Sequence, residues 1–294
     1  MRVRYSFSSR RTGNIDNIRK QKKPFPKVVL EVVNISDVIL EILDARFIKE
    51  TRNPALEKLI TGMNKKIIYV LNKADLVDIK EKKKELEEQK IFPYVFISCK
   101  NRKGAFELKK KIKIEASRLK IPEESKAEMD VEELRKLNFK RKQVGVVGYP
   151  NTGKSSVINF LTGRHGAGVG AEAGFTKGMQ KIKLSKDVLI LDTPGVIPEK
   201  EYSSTSREKI AHHAKLSVRT YNKVKDPEFI VTTLMEKYGE ALDKFYNVVS
   251  NNDPEQLIEN VGKKKNLLIK GGLVDIDRAA RFILKDWQEG NIRL

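Results

Sequence analysis

Two stretches decide the fold of this chain, Asn72-Lys73-Ala74-Asp75 and Gly148-Tyr149-Pro150-Asn151-Thr152-Gly153-Lys154-Ser155, and they stand in an unusual order. In the second stretch Gly148 and Gly153 bracket a loop whose backbone N–H groups can face phosphates, just ahead of a helix N-terminus that favours anions. Lys154 is placed to reach β- and γ-phosphates, and the Ser155 hydroxyl to ligate Mg²⁺. Asn151, Thr152, Gly153 and Ser156 are assigned to the same phosphate site. The preceding Val144-Gly145-Val146-Val147 reads as a buried strand, which supplies the strand–loop–helix context. The first stretch closes the apolar run Ile67-Ile68-Tyr69-Val70-Leu71. Its Asp75 carboxylate matches the N1–H and exocyclic amine of guanine, an edge that adenine does not present. Asn72 braces that loop, and the Lys73 stem can cover the base. Ser98-Cys99-Lys100, after Tyr94-Val95-Phe96-Ile97, is assigned to the companion loop whose backbone contacts guanine O6. Cys99 is a small spacer there rather than a nucleophile.

Asp192-Thr193-Pro194-Gly195 follows the run Val188-Leu189-Ile190-Leu191 and puts Asp192 at a strand end, where it can hold Mg²⁺. Gly195 offers a backbone N–H to the γ-phosphate, an approach that a side chain would block. Thr176, within Gly174-Phe175-Thr176-Lys177-Gly178, is the best switch threonine for Mg²⁺ and γ-phosphate. Gly166, Gly168, Gly170 and Gly174 surround it, consistent with a segment that orders on GTP binding. Metal ligation is thus assigned to Ser155, Thr176 and Asp192, and the catalytic roles to Lys154, Thr176, Gly195 and Asn151. An ordinary G domain runs phosphate loop, switch, Asp-x-x-Gly, then Asn-Lys-x-Asp. Here the last of these comes first. The motifs specify a GTP-hydrolysing protein using GTP/GDP and Mg²⁺, and their order specifies circular permutation.

Apolar runs alternate with charged helical patterns, as in a mostly parallel sheet covered on both faces. Strands are expected at Val38–Leu43, Lys66–Leu71, Tyr94–Ile97, Val144–Val147, Gln180–Leu184 and Val188–Leu191, and helices at Asn53–Thr61, Ile79–Gln89, Ala105–Leu119 and Ser155–Leu161. The charged stretch Lys120–Lys142 would join the conventional last helix to the conventional first strand, a tolerable rearrangement where domain termini lie close together. After about residue 200 the pattern turns helical. Asp226-Pro227 and Asp253-Pro254 are helix starts, and the apolar spacing after Asp275 continues to Trp287, with Gly290 as the stop. Trp287 is expected in the core. The expected fold class is α/β: a circularly permuted P-loop G domain with a six-stranded, mostly parallel sheet and helices on both faces, plus a small all-α C-terminal domain. The expected division is a basic arm at 1–27, the G domain at 28–200 and a helical RNA-binding domain at 201–294.

Net charge is +20, from 59 Lys and Arg against 39 Asp and Glu. Residues 1–27 hold nine basic residues and one acid, Asp16. Such an arm favours a polyanion through counterion release, nucleic acid being the commonest; a solvated tail is the plainer alternative. A single cysteine excludes an intramolecular disulfide and fits a reducing cytosol. With only His165, His212 and His213 beside it, a Cys-rich zinc site is also excluded. No segment approaches 18 apolar residues, so no membrane contact is expected, and the protein is expected to be cytoplasmic and monomeric.

On these residues the chain resembles the YlqF/YawG family of circularly permuted GTPases. Asp44-Ala45-Arg46, Arg52-Asn53-Pro54 and the closing Gly272, Asp275, Ala279 and Ala280 add to the resemblance. It implies a GTPase assisting maturation of the large ribosomal subunit and binding rRNA through the helical domain. A GTP-dependent switch for a protein partner, without RNA contact, is the alternative. Two departures concern catalysis. Val196 follows Gly195 where small GTPases carry a water-orienting Gln, and no histidine precedes His165, whereas bacterial members have one near the N-terminus. Asn151 resembles the corresponding residue of potassium-activated GTPases, where a cation would replace an arginine finger; a loop-bracing hydrogen bond is the other reading.

Overall fold

A computed structural model describes residues 27–118, 141–163, 180–193, 214–216 and 221–294. Six strands form one sheet: β1 (Val38–Asp44), β2 (Lys66–Asn72), β3 (Tyr94–Phe96), β4 (Lys142–Gly148), β5 (Gln180–Lys183) and β6 (Val188–Asp192). Their order is β3-β2-β1-β4-β6-β5. Every pairing is parallel except that of β5 with β6. The two halves of the chain therefore meet at the β1–β4 pairing, where the chain moves outward in one direction from β1 and in the other from β4. In open α/β sheets, ligands bind at the carboxyl ends of strands around such a switch point. The register brings the right residues to that edge. Asp44 lies opposite Asn72, Ile42 opposite Gly148, and Val146 opposite Asp192.

Strands covered on both faces must be apolar throughout, which explains why β1 is buried at all seven positions. On one face Leu40, Ile42, Val70 and Val146 pack against Leu108 and Ile112 of α5 (Ala105–Arg118) and Val157 and Leu161 of α6 (Lys154–Thr162). On the other, Ile39, Leu43 and Leu71 pack against α1 (Lys27–Ile35), α3 (Pro54–Gly62) and Leu86 of α4 (Ile79–Glu88). The expected strands and helices are present with ends shifted by one or two residues. Asn53 is the cap of α3 rather than its first residue, its side chain accepting from the Leu56 N–H at 3.1 Å. Among the described residues two α-helices were not expected, α1 and the single turn α2 (Ile48–Thr51), nor were the 3-10 turns at Ala74–Leu76 and Tyr221–Lys223.

One polar group interrupts the second face. Glu41, mid-strand in β1 and 1% exposed, accepts from the Asn53 N–H at 3.0 Å. Burial, and then the neighbouring Glu57, push its carboxyl up to about 8. Glu57 pairs with Arg52 and accepts from the Tyr69 hydroxyl at 3.0 Å. This cluster is what holds Arg52-Asn53-Pro54 against the sheet.

The remaining helices are α7 (Pro227–Tyr246), α8 (Pro254–Lys264) and α9 (Ile276–Glu289). Each starts as its sequence predicts, with Asp226, Asp253 or Asp275 accepting from a first-turn N–H. α7 breaks helical geometry at Tyr238, and α9 stops at Gly290, whose φ of +73° is left-handed. Their shared core also takes in Phe47 and Tyr149 from loops of the sheet. Trp287 is at its centre, fully buried, with ring centroids 5.0 Å from Tyr238 and 5.9 Å from Phe47. Its indole N–H donates to the Lys215 carbonyl at 3.0 Å.

Trp287→Ala should lower stability by about 3–5 kcal/mol, the range for truncating a buried large aromatic. Urea unfolding followed by far-ultraviolet circular dichroism measures it, with Trp287→Phe expected to recover more than half of the loss.

Candidate nucleotide site

The loop after β4 is built to keep its backbone turned inward. Asn151, at φ +60°, and Gly153, at φ +94°, both take left-handed geometry, and the Thr152 hydroxyl donates to the Tyr149 carbonyl at 3.0 Å. Lys154 opens α6 and is 8% exposed. Its ammonium donates to the Tyr149 carbonyl at 2.8 Å and the Gly148 carbonyl at 3.2 Å. Burial pushes its pKa down to about 8, against the opposing pull of Asp192. Lys154 therefore rests on two carbonyls of its own loop. Ser156 is half-buried one residue beyond Ser155.

Ser155 and Asp192 arrive from α6 and the end of β6, with the serine hydroxyl donating to Asp192 Oδ2 at 3.4 Å. Asp192 is fully buried, and its Oδ1 has no hydrogen-bond partner. Burial raises the Asp192 carboxyl above its ordinary value despite Lys154, the Thr193 N–H and Ser155. A buried carboxylate oxygen lacking a partner beside a hydroxyl is the hard-oxygen pair that suits Mg²⁺. The Thr193 hydroxyl, donating to the Val146 carbonyl at 2.7 Å, ties this strand end to β4.

The guanine-reading motif occupies the end of β2. Asn72 does not brace its own loop; its amide donates across the sheet to the Thr152 carbonyl at 2.9 Å. Gly153 permits the approach, since a Cβ there would collide with the Asn72 amide nitrogen. Lys73 has φ +61°, and its ammonium pairs with Asp44 Oδ2 at 2.8 Å. The Ala74 N–H donates to the Ile97 carbonyl at 3.0 Å, joining the motif to the Ser98-Cys99-Lys100 loop. Ser98 donates its hydroxyl to Asp75 Oδ1 at 2.6 Å and accepts from the Asn101 N–H at 3.0 Å. One Asp75 oxygen is thereby fixed and the carboxylate is aimed. Cys99 is half-buried, and burial, then Asp75, push its thiol up to about 11, which is no nucleophile. Lys100 is exposed.

The structure thus brings Asn72, Lys73, Asp75, Ser98, Asn151, Thr152, Gly153, Lys154, Ser155 and Asp192 to one edge of the sheet. Thr176, Gly195, Val196 and the histidines lie outside the described residues, as do residues 1–26 of the arm and the linker at 119–140. Asp44 and Arg46 lie beside these residues, with Asp44 in contact with Lys73. Motif spacing gives them no role: they pair with each other, and their further partners, Lys73 and Trp287, lie on separate elements. Among the described residues no His/Cys/Asp/Glu cluster could hold a metal, and no helix is long and apolar enough to cross a membrane.

The left-handed loop after β4, the Ser155–Asp192 pair and the Ser98-held Asp75 gather at one sheet edge in the arrangement of a guanine-nucleotide-binding protein of the permuted type. Residues 143–263 match the family model described as "50S ribosome-binding GTPase". An uncharacterized GTP-binding protein of Methanocaldococcus jannaschii is 36% identical over 278 residues, covering 94% of this chain and 68% of that protein. Ribosome biogenesis GTPase A of Bacillus cereus is 30% identical over 268 residues, covering 90% and 86%. The crystal structure of GNP-bound YlqF from T. maritima superposes with a TM-score of 0.57 at 24% identity, covering 89% of this chain and 92% of that one. The chain belongs to the YlqF/YawG family of circularly permuted GTPases. It spans about half the length of other curated relatives, 49% of one and 56% of another.

Asp75→Asn should weaken GDP binding about a hundredfold while leaving the fold intact, because a charge-assisted pairing worth a few kcal/mol is lost; calorimetric titration with GDP and ADP checks it. A second expected outcome concerns Lys154. With a pKa of about 8 in the free protein, it is charged below that pH and neutral above it, whereas bound phosphate favours the charged form. GDP affinity should therefore fall as pH rises from about 7 to about 9, with proton uptake on binding across that window, measurable in buffers of different ionisation enthalpy.

Proposed function

We propose that this protein hydrolyses GTP to GDP and phosphate and acts in assembly of the large ribosomal subunit by binding rRNA. The observation that carries the chemistry is the convergence of Lys154, Ser155 and Asp192 on one point, with the guanine reader Asp75 fixed beside it on the same sheet edge. In this reading Lys154 exchanges its two carbonyl partners for the β- and γ-phosphates. Ser155, Asp192 and Thr176 would hold Mg²⁺, which when bound would supply positive charge for phosphoryl transfer. The Gly195 N–H meets the γ-phosphate. Asn151, in the same loop, would hold a potassium ion, which would supply the charge an arginine finger brings. Val196 has no hydrogen-bonding side chain with which to orient water, so turnover by the protein alone is slow.

Support for the ribosomal assignment is the family membership and the charge. One relative carries the name ribosome biogenesis GTPase A, and the matched family model is described as a 50S ribosome-binding GTPase. The protein carries +20, and Lys263, Lys264, Lys265 and Lys270 are exposed on the helical unit. Phosphate contacts from these lysines and the arm at 1–27 would give a steep salt dependence. The working division is that arm, a G domain at 28–200 and an RNA-binding domain at 201–294, in a cytoplasmic monomer.

Single-turnover GTP hydrolysis, with and without large ribosomal subunits and in KCl or NaCl at equal ionic strength, tests the proposal. Hydrolysis should be slow alone, faster with subunits and faster in KCl, and the protein should co-sediment with large subunits in a non-hydrolysable GTP analogue. Absence of co-sedimentation at any salt would leave a GTP-dependent switch for a protein partner. Equal rates in the two salts would remove potassium from the mechanism.

A further inference from the structure

The guanine-reading loop is gripped both from β1 and from the helical unit. Asp44, at the end of β1 and 4% exposed, lies next to the loop and carries two cations. Arg46 Nε donates to Oδ1 at 3.0 Å and Nη2 to Oδ2 at 2.9 Å, while Lys73 reaches the same Oδ2 at 2.8 Å. Arg46 in turn belongs to the helical unit as much as to the sheet. Its Nη1 donates to the Trp287 carbonyl at 3.1 Å, and its guanidinium carbon lies 5.0 Å from the Phe47 ring centroid and 5.6 Å from that of Trp287. A second grip is made at Leu76. Its carbonyl accepts from the Leu294 N–H at 2.9 Å, and its side chain packs so closely on Gly290 that a Cβ there would come within 2.9 Å.

A flexible four-carbon stem can lie across a base only at an entropic cost, and that cost falls when its head is already tethered. Asp44 provides the tether. Asp44 is itself held by a buried guanidinium, and removing either partner of that buried pair leaves an uncompensated charge, so Asp44 and Arg46 hold or fail together. Packed interfaces of this kind move between discrete arrangements rather than deforming smoothly.

We propose that Asp44 and Arg46 are positioning residues for guanine recognition, which set Lys73 over the base and couple the guanine loop through Trp287 to helix α9. Occupancy of the base site is thereby transmitted to the helical unit through contacts that bypass the phosphate end of the site. The proposal rests on Asp75 being the guanine reader.

Trp287 is the only tryptophan in the chain, so its emission reports on the far end of the relay without a label. The full chain is titrated with GDP and with ADP while Trp287 emission is recorded, and affinity is measured separately by calorimetry. Three variants are compared with it: Asp44→Asn, Lys73→Met, which keeps the apolar stem and leaves the Asp44–Arg46 pair intact, and the double variant. GDP should shift the Trp287 emission of the unmodified chain and ADP should not. Each single variant should bind GDP about tenfold more weakly and lose most of the emission change at saturating GDP. The double variant should be no weaker than the weaker single one. Multiplying losses in the double variant, or normal GDP affinity with silent Trp287 emission in the unmodified chain, would overturn the coupling and leave the guanine reading standing. Failure of the unmodified chain to bind GDP would overturn both. If Asp44→Asn does not fold, Lys73→Met decides: unmodified affinity together with a full emission response refutes the proposal.

Discussion

The hydrogen bond from the Asn72 amide to the Thr152 carbonyl is the contact on which the site depends. It joins a loop from the first half of the chain to one from the second, and both residues are almost wholly buried. β1 sets their spacing, since it pairs with β2 on one side and β4 on the other. Phosphate cradle and base reader are therefore fixed relative to each other by strand pairing and by one amide. Loss of that bond would leave both polar atoms of Asn72 buried without partners, because its Oδ1 already has none. The absent side chain at Gly153 makes the geometry possible.

Charge is distributed around this frame in two ways. At the base end it is closed: Asp44 is surrounded by Arg46 and Lys73, and although burial opposes ionisation, the guanidinium and then the ammonium hold its carboxyl well below the usual carboxylate range. At the phosphate end it is open. Lys154 rests on loop carbonyls and Asp192 keeps a buried oxygen without a partner. The closed end has its charges already paired, as suits recognition of a planar ring. The open end keeps its interactions for charge brought by the ligand, which is where preorganised electrostatics accelerate phosphoryl transfer.

Much of this is legible in the sequence because the physics is local. Strands covered on both faces read as unbroken apolar runs, and the Asp-Pro pairs mark helix starts through capping. Helix α1 is not legible. Val28, Val29, Val32 and Val33 are β-branched and weak helix formers, and the helix exists because Val29, Val32 and Val33 are buried against the sheet. Glu41 is hidden inside an apolar run, and only the fold shows that Asn53 satisfies one of its oxygens. Asn72 reads as a brace for its own loop, but its partner lies 80 residues away, and Arg46, besides pairing with Asp44, donates to a carbonyl 241 residues away. Spacing along a chain cannot disclose such pairs.

The strand order also has a consequence for how the protein is made. Chains emerge from synthesis N-terminus first, and units fold as they appear. β1, β2 and β3 with their helices can pair as soon as residue 118 is available, whereas the other neighbour of β1 is not made until residues 142–148. During that interval Val38–Asp44 is an open, apolar sheet edge, the kind of surface that invites pairing with another chain. In an unpermuted G domain the phosphate loop would emerge first, and nucleotide could help to order the elements made after it. Here the base-reading half must be competent on its own, and the nascent protein cannot gain stability from GTP until its central seam has closed.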